Sequence, residues 1–200
     1  MPFNSYFNQL FKVNIQYIID DFLNNYKGRA YHNEQHIMFM LKEYDKYKHT
    51  LEHPMAVLLA ILYHDIIYDT QACSMSNEIA SAKFLDRFGM CDFVDHSVFF
   101  NDVGLAKKMI IDTATHEAYD PDSAFMMDID LLILAMDSYD EYDNNIRKEY
   151  SWVDDETFKE GRSNLLKRFL QKDKIFQSLL YSKYEDDARE NIKKLIIKYS

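Results

Sequence analysis

The sequence predicts an all-α protein, a single-domain bundle of helices. Apolar residues recur at three- and four-residue steps along most of the 200 residues. Glycine and proline are scarce, 4 and 3 in all, so obligatory helix breakers are few. Ser, Asp and Pro stand where helices start. No repeat, linker or low-complexity stretch interrupts the pattern. We therefore expect one domain over residues 1–200, with a core of about 29–135 and C-terminal helices 138–199 packing on it.

The first helix is expected over Ser5 to Tyr26, where Phe7, Leu10, Phe11, Ile15, Ile18, Ile19 and Phe22 share a face and Gly28 offers a stop. A second runs from Asn33 to Tyr47 through Ile37, Met40, Leu41 and Tyr44. A third starts at Pro54, which suits a first helical position, and continues to Ile67. It is apolar nearly all round and should be the central buried helix. A fourth covers Ser76 to Phe88 and meets Gly89; a fifth covers Asp102 to His116; a sixth, Ser123 to Ala135, holds MMDIDLLILA. Ser138 with Glu141 reads as a capping box opening a seventh helix to Tyr150, and Asp154 caps an eighth to Leu170. Ser182 with Glu185 is a second capping box, opening the last helix. The Tyr and Phe residues at helical spacing are core and packing residues in this reading, not a base-stacking platform.

The net charge is −10 and no basic block occurs. Duplex nucleic acid requires Lys and Arg to displace counterions, so it is excluded as a partner, as is an anionic membrane surface. A small phosphorylated substrate stays open, because a cation and a few arginines neutralise it locally. The two cysteines, Cys73 and Cys91, lack CxxC spacing and read as idle thiols in a reducing compartment. The opening MPFNSYFNQL has no basic n-region or continuous apolar run, and the longest apolar stretch, Met55 to Tyr63, is too short to span a bilayer. A cytoplasmic location is expected.

Polar residues interrupt these apolar helices at a few points. His64 and Asp65 end the most apolar helix. Burying an ionised Asp without a partner costs several kcal/mol or more, and a divalent cation held by both side chains would compensate. The other reading of this dipeptide is an ordinary helix end meeting water. In YHNEQH, His32 and His36 are four residues apart and lie on one helix face, sharing a metal, or with one binding it while the other faces the substrate, or as surface residues at a helix start. Asp128 and Asp130 interrupt MMDIDLLILA with no Lys or Arg at helical spacing, so a metal or a buried histidine would have to satisfy them. Thr113, Thr115 and His116 end the fifth helix. Mixed N and O donors suit a divalent ion such as Mn, Fe, Co, Ni or Zn.

At these residues the chain resembles the HD superfamily of metal-dependent phosphohydrolases, whose pattern is a His, a His-Asp pair and a distant Asp on helices. The resemblance implies an HD-type helical bundle and a divalent metal (Mn, Fe, Co, Ni, Zn or Mg) bound by His36, His64, Asp65 and Asp130. YHNEQH is also similar to the YHNxxH segment of cyclic-nucleotide phosphodiesterases, which makes His32 the proton donor to the leaving group. NEIASA is similar to a supporting helix there, making Glu78 an acid behind a second metal position. Tyr68 stands near the position of a further phosphodiesterase histidine. A closer likeness is to an uncharacterised bacterial branch of predicted HD phosphohydrolases, with RxYHNxxH, HDxxYD, NExxSA, TxxH and DxDLxIL, then YxxYxxxIRxEY, GR and ExxAREN between Arg29 and Asn191.

The resemblance implies a hydrolase in which metal-activated water, held at Asp65 and its fellow ligands, attacks a phosphoryl centre while His32 protonates the leaving oxygen. Arg29 and Arg147 are candidates for holding the phosphate, because a guanidinium fork matches phosphate oxygens; a salt bridge to an acid such as Asp143 is the other reading of Arg147. Asp128 is expected to orient a histidine ligand, and His116 either joins a second metal or is a satisfied core histidine. The substrate class is a small phosphate ester, such as a nucleotide. A non-catalytic regulatory protein that binds metal or nucleotide is the alternative.

Overall fold

The computed structural model describes residues 2–72 and 75–199, so Cys73 lies outside the described residues. Among these, the architecture is all-helical, with no strand and one isolated bridge between Phe11 and Phe93. No helix among them is long and apolar enough to cross a membrane. The chain forms two compact units, Met1–Met126 and Met127–Ser200.

The first unit holds α1 (Asn4–Leu10), α2 (Ile15–Tyr26), α3 (Glu34–Tyr47), α4 (Pro54–Tyr63), α5 (Ser76–Phe84) and α6 (Val103–Asp112). A further helix, α7 (Pro121–Leu131), begins in it. Every residue of α4 from Ala56 to Tyr63 is buried, as its all-round apolar sequence demands. It packs against α1, α3, α5 and α6. Asp122 sits behind its start and accepts the backbone N–H groups of Glu52 and His53 at 3.1 and 2.6 Å.

The expected first helix is two helices. Phe11 leaves α1 in extended conformation, pairs with Phe93, and packs its ring on Phe88 and Phe93 with centroids 4.8 and 5.0 Å away. Asn14 then opens α2 by accepting the N–H of Tyr17. Phe7, Phe11, Phe22, Tyr63 and Phe93 are almost fully buried, each burial contributing roughly 1.5–3 kcal/mol. These aromatic residues thus act as core, as their helical spacing suggested.

Several other ends differ from expectation. α4 stops at Tyr63 instead of Ile67, because two polar residues follow. The fourth helix gives way to a 3-10 turn over Leu85–Arg87, and α6 is preceded by a π-helical turn over Val98–Asp102. Cys91 is an exposed free thiol.

The second unit contains the end of α7, a 3-10 turn over Leu132–Ala135, and α8 (Tyr139–Glu149), α9 (Asp155–Gln171) and α10 (Glu185–Lys198). Within it, α10 packs on α9, α8 and the 132–135 turn. Asp154 caps α9 as expected, accepting the N–H of Thr157 at 2.9 Å. Neither predicted capping box forms. Ser138 makes no side-chain cap. Residues 182–184 form a 3-10 turn ahead of α10, and Glu185 accepts the backbone N–H groups of Ile175 and Phe176 at 3.0 Å.

Candidate metal centre

Asn33 sets the geometry of the first histidine segment. Its side-chain oxygen accepts the N–H groups of Gln35 and His36 at 2.8 and 3.4 Å, capping α3. Its amide nitrogen donates to the carbonyls of Arg29 and Ala30, both at 3.2 Å. One residue therefore starts the helix and holds the chain that enters it. This places His36 in the first turn of α3, on the buried face with Ile37, Met40, Leu41 and Tyr44.

His64 follows the last residue of α4, and its N–H still donates to the carbonyl of Ala60 at 2.9 Å. Its ring Nδ1 lies 3.1 Å from the carbonyl oxygen of Ile61. A carbonyl only accepts, so that contact assigns the proton to Nδ1 and turns the Nε2 lone pair the other way. Nε2 faces His36 Nε2 at 3.3 Å and Asp65 Oδ2 at 3.0 Å. The third edge, His36 Nε2 to Asp65 Oδ2, is 3.9 Å. Both histidines are buried, while the Asp65 side chain is 17% exposed.

These three residues are the one group of potential metal ligands among the described residues. Donors held about 2.1 Å from a divalent ion lie roughly 3.0 Å apart at a right angle and about 3.4 Å apart in a tetrahedron. The 3.0 and 3.3 Å edges fall in that range, and the 3.9 Å edge is wider. The donor set of two imidazoles and a carboxylate suits the borderline and hard divalent ions. The residues fit such an ion.

His32 lies next to this group. Its half-buried ring stacks on Tyr68 with centroids 4.1 Å apart and planes 28° apart, and its centroid is 6.2 Å from that of His36. Arg29 is engaged by protein oxygens and rings. Its guanidinium donates to the carbonyls of Asp65, Ile66 and His32 and lies over the rings of Tyr26 and Tyr68. The Tyr26 hydroxyl donates to the carbonyl of Leu62 at 3.0 Å. The Leu62 carbonyl in the last turn of α4, which helix geometry leaves without a partner, and those of Asp65 and Ile66 just beyond it are thus satisfied from the end of α2 and the loop after it.

The α5 segment is tied to the same stretch. Ser81 Oγ bonds both the N–H and the carbonyl of Ile67, at 3.0 and 3.1 Å, and Asn77 does the same for Asp69 at 3.0 Å. Glu78 is half-buried in the first turn of α5 and is not one of the three grouped ligands. Nor is His116, which follows α6 in a left-handed conformation with φ 50° and donates its N–H to the carbonyl of Asp112 at 2.8 Å. Thr113 bonds its own helix, at the carbonyl of Ile110.

The remaining candidates belong to the second unit. Asp130 is half-buried near the end of α7. Asp128 is fully buried, and its oxygens accept the N–H groups of Gln177 and Ser178 at 2.7 and 2.8 Å. Burial pushes its carboxyl up to about 6 against the pull of these bonds. A backbone loop, instead of the expected histidine, is what these bonds hold. Arg147 donates to the carbonyls of Tyr150 and Val153 and to Asp155 Oδ1, so its salt bridge is to Asp155 and not Asp143. Asp143 pairs with Arg162, whose Nε is 2.9 Å from Asp143 Oδ1. Nothing in the sequence singles out this pair, since its members lie 19 positions apart on different helices. For Tyr68 the sequence offers only its position; the contact with His32 depends on the turn after α4.

No protein-family model, curated protein or solved structure matches the chain.

Proposed function

We propose that the chain is a metal-dependent phosphohydrolase of the HD type that cleaves a small phosphate ester, a nucleotide or a related phosphorylated metabolite. The observation that supports this reading is the convergence of His36 Nε2, His64 Nε2 and Asp65 Oδ2. Asp130 enters as a further ligand from the sequence pattern alone.

A divalent ion bound there would lower the pKa of a coordinated water towards neutrality and draw charge from phosphoryl oxygens. The chain's own residues supply the rest. The Ile61 carbonyl fixes the His64 ring so that Nε2 is available as a donor to the ion. Asn33 fixes the start of α3 and with it His36. His32, in the loop just before α3 and beside His36, would give a proton to the leaving oxygen. The net charge of −10 fits a compact substrate neutralised at one point better than a polyanion.

A non-catalytic regulatory binder is the second reading, favoured by one observation. Arg29 and Arg147, the candidate phosphate holders, spend guanidinium donors on protein oxygens. One preparation separates the two. The protein is purified without chelator, its metals are measured by elemental analysis, and it is assayed on phosphate mono- and diesters and nucleotides with Mn, Co, Ni and Mg added. Turnover that disappears in His32→Ala supports the hydrolase. Bound metal without turnover on the panel favours the regulatory reading. Protein that takes up none of these ions removes the hydrolase and the metal-binding form of the regulatory reading.

A further inference from the structure

We propose that Arg29 and Tyr68 are positioning residues that align His32 with the His64–Asp65 turn. The proposal rests on the hydrolase reading for its consequence in turnover, and on geometry alone for the alignment itself.

His32 and Asp65 come from separate segments. One lies in the loop before α3, the other in the turn after α4. Arg29 joins them. Its Nη1 donates to the carbonyl of His32 at 3.3 Å and also to that of Asp65, and its Nη2 donates to the carbonyl of Ile66 at 3.0 Å. The guanidinium plane is kept in place by Tyr26 and Tyr68, whose ring centroids are 4.9 and 5.7 Å from its carbon. Tyr68 then carries the alignment to the imidazole, because its ring also stacks on His32. Arg29, Tyr68 and His32 thus form a connected set in which each member touches the others. Arg29 bonds the backbone of Asp65 while the Asp65 carboxylate faces the two histidines. It acts on the metal group through the peptide, not by contact with the ion.

A lysine cannot reproduce this. Its ammonium is a single point of donation on a flexible stem and does not serve separate carbonyls in a planar fork. Supporting groups behind metal ligands typically change metal affinity by roughly ten- to a hundredfold when removed. Tyr68 makes its contribution through the ring face, so Tyr68→Phe should retain it and Tyr68→Leu should not.

The test uses Arg29→Lys, Tyr68→Phe and Tyr68→Leu, with folding checked by thermal melts. The first readout is the NMR resonance of the His32 ring protons in metal-free protein, where a stacked tyrosine displaces them upfield. The second is Co or Mn affinity by calorimetry, and the third is kcat and KM on whichever ester is turned over. We expect Tyr68→Leu to abolish the upfield displacement and lower kcat with KM held, and Tyr68→Phe to leave both as in the wild type. Arg29→Lys should reduce the displacement and weaken metal binding roughly tenfold or more. Wild-type His32 resonances and metal affinity in Arg29→Lys would overturn the role of Arg29; an unmoved His32 resonance in Tyr68→Leu would overturn that of Tyr68. A wild-type protein that binds no ion sinks the hydrolase reading, yet the His32 resonances of the metal-free variants still decide the alignment.

Discussion

Replacing Asp143 by asparagine should destabilise the second unit by about 3–5 kcal/mol, the usual cost of stranding one member of a buried ion pair. Asp143 is fully buried and Arg162 is 7% exposed. The carboxylate accepts from Arg162 Nε at 2.9 Å, from Lys198 Nζ at 3.2 Å and from the Tyr199 hydroxyl. Burial works against the Arg162 cation, but Tyr142 and Asp143 outweigh it and hold its pKa above the ordinary arginine value. Arg162 stays charged when its partner is neutralised, because a guanidinium does not give up its proton in a protein. The asparagine amide keeps one acceptor and turns an N–H2 toward a site where Arg162 and Lys198 can only donate. Against a total stability of about 5–15 kcal/mol, this is about a fifth or more, and it corresponds to a fall in Tm of roughly 6–20 °C for a chain of this size. Urea titration followed by circular dichroism measures it. The companion experiment replaces the pair together, Asp143→Leu with Arg162→Met, which should recover most of the loss because no buried charge is left alone. A loss under about 1 kcal/mol for Asp143→Asn, or a double variant as unstable as the sum of the singles, would refute the reasoning.

The other contacts carry their own expected outcomes. Saturating the His36–His64–Asp65 group with an ion at a hundred times its Kd should add about 2.7 kcal/mol of stability, and thermal melts should show the Tm gain lost in His36→Ala, His64→Ala and Asp65→Asn. A gain preserved in all three would place the ion elsewhere. Asp122→Ala should cost about 1–3 kcal/mol, since it strips the acceptor from the N–H groups of Glu52 and His53 before α4; denaturant titration reads it. Glu185→Gln should cost about 1 kcal/mol at neutral pH. Partial burial works against the Glu185 carboxylate, but the N–H groups of Phe176 and Ile175 and then Arg189 hold its pKa below the ordinary value. A depressed carboxyl stabilises the fold above its unfolded pKa and loses that contribution as pH falls through the folded value. The gap between wild type and Glu185→Gln should therefore close on acidification, and a gap independent of pH would contradict the assignment.

Periodicity exposes the helices because each buries a face, and burial of a face is written in the order of its own residues. α4 shows this best, with Ala56 to Tyr63 buried without exception. Helix ends are less legible. Phe11 belongs to the apolar stripe of the expected first helix, yet it leaves because Phe93, far along the chain, pairs with it. The Ser182 box fails for a related reason. Nothing local in Ser-Lys-Tyr-Glu reveals that Glu185 is taken by the N–H groups of Ile175 and Phe176. At the candidate centre, His36, His64 and Asp65 stand out because they are polar side chains on apolar faces. The partners of Arg29, Arg147 and Asp128 do not stand out, because they are backbone carbonyls and N–H groups, which every residue carries.

The motifs that mark this sequence accordingly divide by the kind of group they engage. Arg29 holds carbonyls after α4, and Asp122 holds N–H groups before it. In the second unit, Arg189 holds the carbonyls of Leu170, Lys172 and Asp173, Asn191 holds that of Leu134, and Asp128 holds the N–H groups of Gln177 and Ser178. With only 4 glycines and 3 prolines, the chain makes most of its turns without the residues that make turns easy. The unpaired groups at its helix ends need charged side chains from neighbouring elements instead. The arginines of RxYHN, IRKEY and ExxAREN thus spend donors on backbone carbonyls at or beyond helix ends, which is a structural role. His36, His64 and Asp65 differ in that they face one another, and nothing about ending a helix requires that. The functional reading consequently stands on those three side chains, with His32 beside them, and not on the length of the pattern.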